Sequence, residues 1–132
     1  HFELDDEDNI ILLQPTNPLR PLNLFKEALN LYNSNDCDSL MTVSRSYDKL
    51  GSIKNNKFVP YNYFQGQRSQ DLKPLYKENG LLYITKVKLI NEGEILGLNN
   101  YPLIINHPFA SVDIDTIEDF NYANFILNYY NE

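Results

Sequence analysis

The stretch DDEDNIILLQPT, residues 5–16, decides how the chain is read. Four acids lead into a continuous apolar run, Ile10 to Leu13. A short run of this kind suits a strand buried on both faces, as in a parallel sheet. The next segment, PTNPLRP (15–21), is a loop with three prolines. Asn23 can cap a helix through LNLFKEALNLYNSN (22–35), where Leu24, Ala28 and Leu31 recur at roughly helical spacing. SLMTVSRS (39–46) reads as a second strand. Strand, helix and strand in this order predict a parallel α/β unit.

The segment from about Tyr47 to Lys77 is polar, aromatic and basic. GSIKNNKFVPY (51–61) predicts a hairpin turning at Asn55-Asn56. Aromatic residues mixed with cations suit a partner surface or a ligand wall; a solvated loop with its own small core is the plainer alternative. NGLLYITKVKLI (79–90) resumes an apolar strand and runs into a short helix. EILGLNNYPLIIN (94–106) turns into another strand. SVDIDT (111–116) reads as a strand end, and TIEDFNYANFILNYY (116–130) as a helix. Thr116 and Asp119 approximate a capping box. Ile117, Phe120, Tyr122, Ala123, Ile126 and Leu127 form the expected buried face. There is no internal repeat and no low-complexity tract, so 1–132 reads as a single α/β domain.

The 132 residues suffice for one modest core. A hydrophobic content of 42% with ten Tyr and seven Phe is a globular composition. The net charge of −7 argues against a nucleic-acid surface, which carries a basic patch. An anionic substrate would have to be met locally, by a few placed cations or a metal. The single cysteine, Cys37, excludes an internal disulfide and lies between two acids, which do not activate a thiolate. That fits a reducing compartment, and the cytoplasm is the expected location. No apolar run is long enough to span a bilayer, so no membrane association is expected. The N-terminus lacks a signal-peptide pattern.

Asp113 and Asp115 are the most informative polar pair. On a strand, residues i and i+2 share a face, so the two carboxylates converge while Ile114 enters the core. The carboxyl end of a strand just before a helix is where open α/β sheets bind ligands. Two convergent carboxylates suit Mg2+, which takes one or two carboxylates plus water and phosphate oxygens. The alternative is a pair of acids favoured by the helix dipole. Gln14, directly after the first strand, can both donate and accept, which suits a polyhydroxylated or amide-bearing substrate. Arg20 closes the same loop and either binds an anion or braces the loop through a carboxylate. Arg68, Lys73 and Lys77 offer cations for a carboxylate or phosphate. Lys49 is a further cation, and the Tyr83 hydroxyl a further donor. His107 is a lone histidine before Pro108 and reads as structural. No nucleophile elbow, zinc cluster or dinucleotide fingerprint occurs.

LLQPTNPLR (12–20), RSQDLKPLYKENGLLYITK (68–86) and SVDIDTIEDFNYANFIL (111–127), in this order, resemble the N-acylneuraminate cytidylyltransferases, also called CMP-sialic acid synthetases. The resemblance covers nearly the whole chain. It implies a Rossmann-like nucleotidyltransferase sheet, a homodimer, and Mg2+-dependent joining of CTP to a nine-carbon 2-keto sugar acid. Asp113 and Asp115 match the metal-binding aspartates of the family's DID motif. Gln14 matches a glutamine that contacts the sugar acid. Residues 45–78 match a dimerisation insert that reaches over the partner's active site. Lys49 matches a sugar-carboxylate lysine; Lys77 and Tyr83 match pocket-lining positions.

Three departures stand out. Ser69 stands where the family carries an arginine, with Arg68 one residue earlier. A histidine–proline pair common in neuraminate-specific members is missing from SYDKLGSIKNNKF (46–58), which keeps legionaminic-type acids open as substrates. No glycine- and basic-rich loop of the P-A-R-G-G-S-K-G type is present. The chain therefore resembles the carboxyl-terminal portion of the enzyme, and by itself would be inactive. A non-catalytic sugar-acid-binding or dimerisation module of the same fold is the alternative.

Overall fold

The computed structural model describes residues 3–130. The expected first strand forms as β1 (Asn9–Leu12). It is not buried: Ile11, Leu12 and the following Leu13 are all exposed. β1 lies at the edge of a four-stranded sheet of order β1-β5-β2-β6. An apolar run signals burial only if both flanks are covered, and an edge strand has one neighbour. The polar loop that follows leads to α1 (Leu24–Ser34), which buries Leu24, Ala28 and Tyr32. Asn23 occupies the N-cap position, but its side chain makes no capping bond.

β2 (Ser39–Ser46) coincides with the expected second strand and is buried from Ser39 to Val43. The hairpin of β3 (Gly51–Lys54) and β4 (Lys57–Pro60) follows, pairing Ser52 with Val59 and Ile53 with Phe58. Asn55 and Asn56 have φ of 50° and 61°. Positive φ at both central residues is what a two-residue type I′ turn needs, and asparagine tolerates it better than other non-glycine residues. β5 (Leu75–Lys86) is the longest strand and is buried from Asn79 to Thr85. α2 (Val87–Asn91), β6 (Asn100–Ile104) and α3 (Ile117–Tyr130) complete the elements.

The sheet is mixed. β1 is antiparallel to β5, and β2 is parallel to β6. Lys86 N donates to Asp38 O, while the Thr42 hydroxyl bonds the backbone of Leu82. These pairs run in opposite senses, so β5 is antiparallel to β2. β1, β2 and β6 therefore point the same way, with β5 inserted against them. The predicted parallel unit keeps its strand directions, but β1 and β2 are not neighbours.

The main core lies between α1 and one sheet face: Leu24, Ala28 and Tyr32 meet Leu40, Leu82, Ile84, Leu103 and Ile105. A smaller cluster joins Met41, Val43, Tyr83 and Leu96. A third joins Phe109, Val112, Ala123 and Ile126, with Leu19 and Ile114 packed against it. Only Ala123 and Ile126 of α3 are buried. Ile117, Phe120, Tyr122 and Leu127, expected inside, are exposed. Six expected positions are too wide a stripe for the single cluster that α3 meets.

The chain divides into two compact units, one made of Arg45–Lys77 and the other of the residues on either side. Within the smaller unit Leu72 is buried, while every residue of the hairpin strands is exposed. Its order rests on polar ties. Asn62 accepts from Leu50 N and donates to Asp48 O, and Arg45 donates to Leu72 O while lying over the Tyr47 ring. Among the described residues no helix is long and apolar enough to cross a membrane.

Candidate active site

The site is built around the loop between β1 and α1, at the carboxyl end of β1. Prolines at 15, 18 and 21 limit its backbone freedom and remove donors. Arg20 supplies what the loop lacks. Its guanidinium donates to Leu81 O on β5 at 2.7 Å, to Gln14 O at 3.0 Å and to Pro18 O at 3.4 Å. Arg20 therefore braces the loop, through backbone carbonyls rather than through the carboxylate expected from sequence. Partial burial lowers the Arg20 pKa from its ordinary value, and the planar fork suits three carbonyls where a lysine would not.

β5 is irregular where it faces this loop. Gly80 has φ +70°. Leu81 and Leu82 both enter the main core, which breaks the strict alternation of a strand. Asn79 holds the kink, accepting from Leu81 N and donating to the Ser44 hydroxyl, which donates on to Ile105 O. A Cβ on Gly80 would lie 2.1 Å from Gln14 Oε1 and 2.3 Å from Asn17 Oδ1. Gln14 is exposed, but its amide oxygen rests on backbone that only a glycine leaves open.

Asp113 and Asp115 are not on a strand. After β6 the chain makes a 3₁₀ turn at Pro108–Ser111 and then runs extended without ladder pairing. Alternation survives: Val112 is buried, Ile114 is partly buried, and Asp113 and Asp115 face solvent. The carboxylates therefore do not carry the desolvation cost that burial would impose. The β1–α1 loop stands in for a neighbouring strand. Thr16 O accepts from Ile114 N at 2.8 Å, and Asn17 Nδ2 donates to Val112 O at 2.8 Å. Gln14, Arg20, Asp113 and Asp115 thus belong to one hydrogen-bonded assembly, following the carboxyl ends of β1 and β6, which point the same way.

The start of α3 fixes the other side of the pair. Asp119 Oδ2 accepts from Asp115 N, Thr116 N and Thr116 Oγ1, and Asp119 N donates to Thr116 Oγ1. This is the expected reciprocal box with Asp as the acid. The Thr116 hydroxyl bond, then the backbone donors of Asp115 and Thr116, hold the Asp119 carboxyl below its ordinary pKa.

Two exposed carboxylates suit a hard divalent cation as donors. Among the described residues neither has a hydrogen-bond or ion-pair partner, and no third His, Cys, Asp or Glu joins them as a metal cluster. That donor set fits Mg2+, which keeps water and takes phosphate oxygens for its other positions.

Tyr83 sits in the Met41–Val43–Leu96 cluster, and its hydroxyl donates to Glu78 at 3.0 Å. Burial, then that hydrogen bond, push its pKa up to about 12. His107 accepts from Phe109 N and packs edge-on against the Phe109 ring. Cys37 is partly buried; desolvation, then Asp38 and Asp36, raise its thiol pKa, so nothing activates it.

The remaining candidates belong to the smaller unit. Lys49 donates to Gln67 O and lies over the Tyr63 ring. Arg68 forms a two-point ion pair with Asp71. Exposed pairs of this kind add little stability, but this one occupies the cation proposed for anion binding. Lys73 and Lys77 are exposed. Sequence reasoning missed Asn17, Glu78 and Gly80. Asn79-Gly80 reads as a turn dipeptide, and its place inside a buried strand was the available signal.

No family model matches the chain. Curated relatives do. An N-acylneuraminate cytidylyltransferase of Streptococcus agalactiae serotype III is 35% identical over 127 residues, covering 90% of this chain and 30% of the relative. The enzyme of that name from serotype V is 33% identical over the same length and coverage. A CMP-N,N'-diacetyllegionaminic acid synthase of Legionella pneumophila is 30% identical over 120 residues, 83% of this chain and 49% of the relative. The chain spans between about a third and a half of these relatives' length. Over nine-tenths of its length it is homologous to a portion of the N-acylneuraminate cytidylyltransferases, the family its sequence resembles.

Proposed function

We propose that this chain is part of a cytidylyltransferase that activates a nine-carbon 2-keto sugar acid, of sialic or legionaminic type, with CTP. The products are the CMP-sugar and pyrophosphate. The observation that carries this reading is the pair of bonds from Thr16 and Asn17 to residues 112–114, which ties the Gln14 loop to the two aspartates. Kinship with synthases named for both sugar types supports the chemistry and leaves both substrates open.

In this reading the sugar's anomeric hydroxyl oxygen attacks the α-phosphorus of CTP, the α–β phosphoanhydride bond breaks to release pyrophosphate, and the hydroxyl proton passes to solvent. Mg2+, when bound, neutralises phosphate charge and lowers the hydroxyl's pKa. Asp115 would hold the ion directly, and Asp113 would hold it directly or through water. The Gln14 amide orients the sugar acid by hydrogen bonds. The resemblance assigns Lys49 to the sugar carboxylate and Lys77 and Tyr83 to pocket-lining positions, the cations of the Arg45–Lys77 unit acting in part on the other subunit's site. Arg20 acts by keeping the Gln14 loop in shape. Arg68 serves the sugar acid if it leaves Asp71. The work is positioning and electrostatics rather than covalent catalysis.

The proposed assembly is a cytoplasmic homodimer joined through the Arg45–Lys77 unit. Lacking a glycine- and basic-rich phosphate loop, the 132 residues alone would not turn over. The test uses the chain together with whatever polypeptide it is encoded with. CTP, sugar acid and Mg2+ should yield CMP-sugar by chromatography, and Asp115→Asn should cut turnover at least 100-fold with folding retained. Wild-type turnover in that variant would remove Asp115 from the site. Full turnover by the 132 residues alone would show that the phosphates are held by other means.

A further inference from the structure

We infer that Asn17 is a positioning residue for the Asp113–Asp115 pair, acting through the backbone of Val112. This rests on the proposed metal role of that pair and identifies what sets its geometry. Asn17 is among the few fully polar side chains in the interior, with 4% of its surface exposed. Its Nδ2 donates to Val112 O, 95 residues away in sequence. Its Oδ1 accepts from Thr16 Oγ1 and lies against Gly80. One carboxamide thus contacts the aspartate segment on one side and the β5 kink beneath Gln14 on the other.

The aspartate segment needs such a tie. It has no ladder partner, so its backbone polar groups must be met one by one. Val112 N is met by Phe109 O within the 3₁₀ turn, and Asp115 N by Asp119. The groups that face outward from this local structure, Val112 O and Ile114 N, are met by Asn17 and Thr16. Apolar packing of Val112, Ile114 and Leu19 keeps the segment near the loop but is non-directional. The two hydrogen bonds define register and tilt, and therefore where the carboxylates on either side of Ile114 point. The bond to Thr16 is between backbone groups and survives side-chain substitution at Thr16. The bond from Asn17 is the one a mutation can remove.

Removing it leaves Val112 O unsatisfied at a residue with 1% exposure and frees the segment to rotate about the Thr16 bond. A displaced aspartate pair should hold a divalent ion less tightly, because an ion that demands near-ideal octahedral geometry tolerates little misplacement of its carboxylate donors.

The test is Mn2+ binding to the purified protein, read from the loss of the free-ion signal in electron paramagnetic resonance. Wild type should bind Mn2+, and Asp115→Asn should lose that binding. Asn17→Ala should weaken it at least fivefold while retaining its circular dichroism spectrum. Ile126→Val, which loosens the same apolar cluster without touching these bonds, should leave it within twofold. If Asn17→Ala does not fold, Asn17→Ser replaces it, with the same threshold. Equal Mn2+ affinity in wild type and the Asn17 variant overturns the positioning role while leaving the metal site standing. Equal weakening by Ile126→Val reduces Asn17 to a general stability role and also overturns it. If Asp115→Asn binds as wild type does, the metal reading itself fails and the inference falls with it.

Discussion

At the scale of single residues, the neighbours of the candidate groups matter as much as the groups. Gln14, Asp113 and Asp115 are visible as polar residues at the ends of apolar runs. Arg20, Asn17 and Gly80 decide whether they can act together, through carbonyl bracing, a buried carboxamide and a missing Cβ. Tyr83 shows the same dependence. Its place on an apolar strand is legible, but its bond to Glu78 exists because the strand kinks at Gly80 between them. With its pKa raised to about 12, the neutral phenol is favoured by the fold. The associated stability is fully present below the ordinary tyrosine value of about 10 and is lost as pH rises through about 12. Alkaline ultraviolet titration should therefore show a tyrosinate absorption that appears late and disappears in Tyr83→Phe. Loss of an early-titrating component instead would contradict the buried, hydrogen-bonded phenol.

At the scale of elements, patterns that depend on near neighbours in sequence were the readable ones. β2 and the β3–β4 hairpin form where alternation and the Asn55-Asn56 turn place them. The Thr116–Asp119 box forms because both partners lie within one helical turn. The depressed Asp119 pKa gives this box a pH signature. Its contribution is present above the ordinary carboxylate value of about 4 and fades as pH falls through the lower folded value. Wild-type helicity by circular dichroism should fall on acidification in that range. Asp119→Ala should begin with less helix at neutral pH and lose less of it; identical titration curves for the two would deny the cap its role. The elements misread were those whose environment depends on distant segments. β1 looked buried and is an edge, α3 looked broadly buried and meets one small cluster, and SVDIDT looked like a strand and is a loop-supported extended segment.

At the scale of the whole molecule, polar ties organise Arg45–Lys77 and leave apolar groups outside. Ile53 and Tyr61 are 78% and 81% exposed, and Phe58 and Phe64 are also exposed. Apolar groups this dense on a unit of this size are unusual for a surface facing only water, which is what the proposed dimer would use. Ile53→Asp with Tyr61→Ser should shift sedimentation from dimer to monomer while the larger unit keeps its thermal transition. An unchanged sedimentation coefficient would place the dimer contact elsewhere or deny it.

By itself the sequence determined the α/β class, most element boundaries, the hairpin turn, the helix cap and the kinship with cytidylyltransferases. Each rests on periodicity, turn chemistry or motif order, which act over a few residues or are carried along the chain. Only the tertiary structure decided that β5 inserts antiparallel between β1 and β2, that Arg20 braces the loop, and that Asn17 reaches Val112. Those outcomes join residues 61 and 95 positions apart. Which buried carbonyl finds which donor depends on how distant segments pack, and no local pattern encodes it.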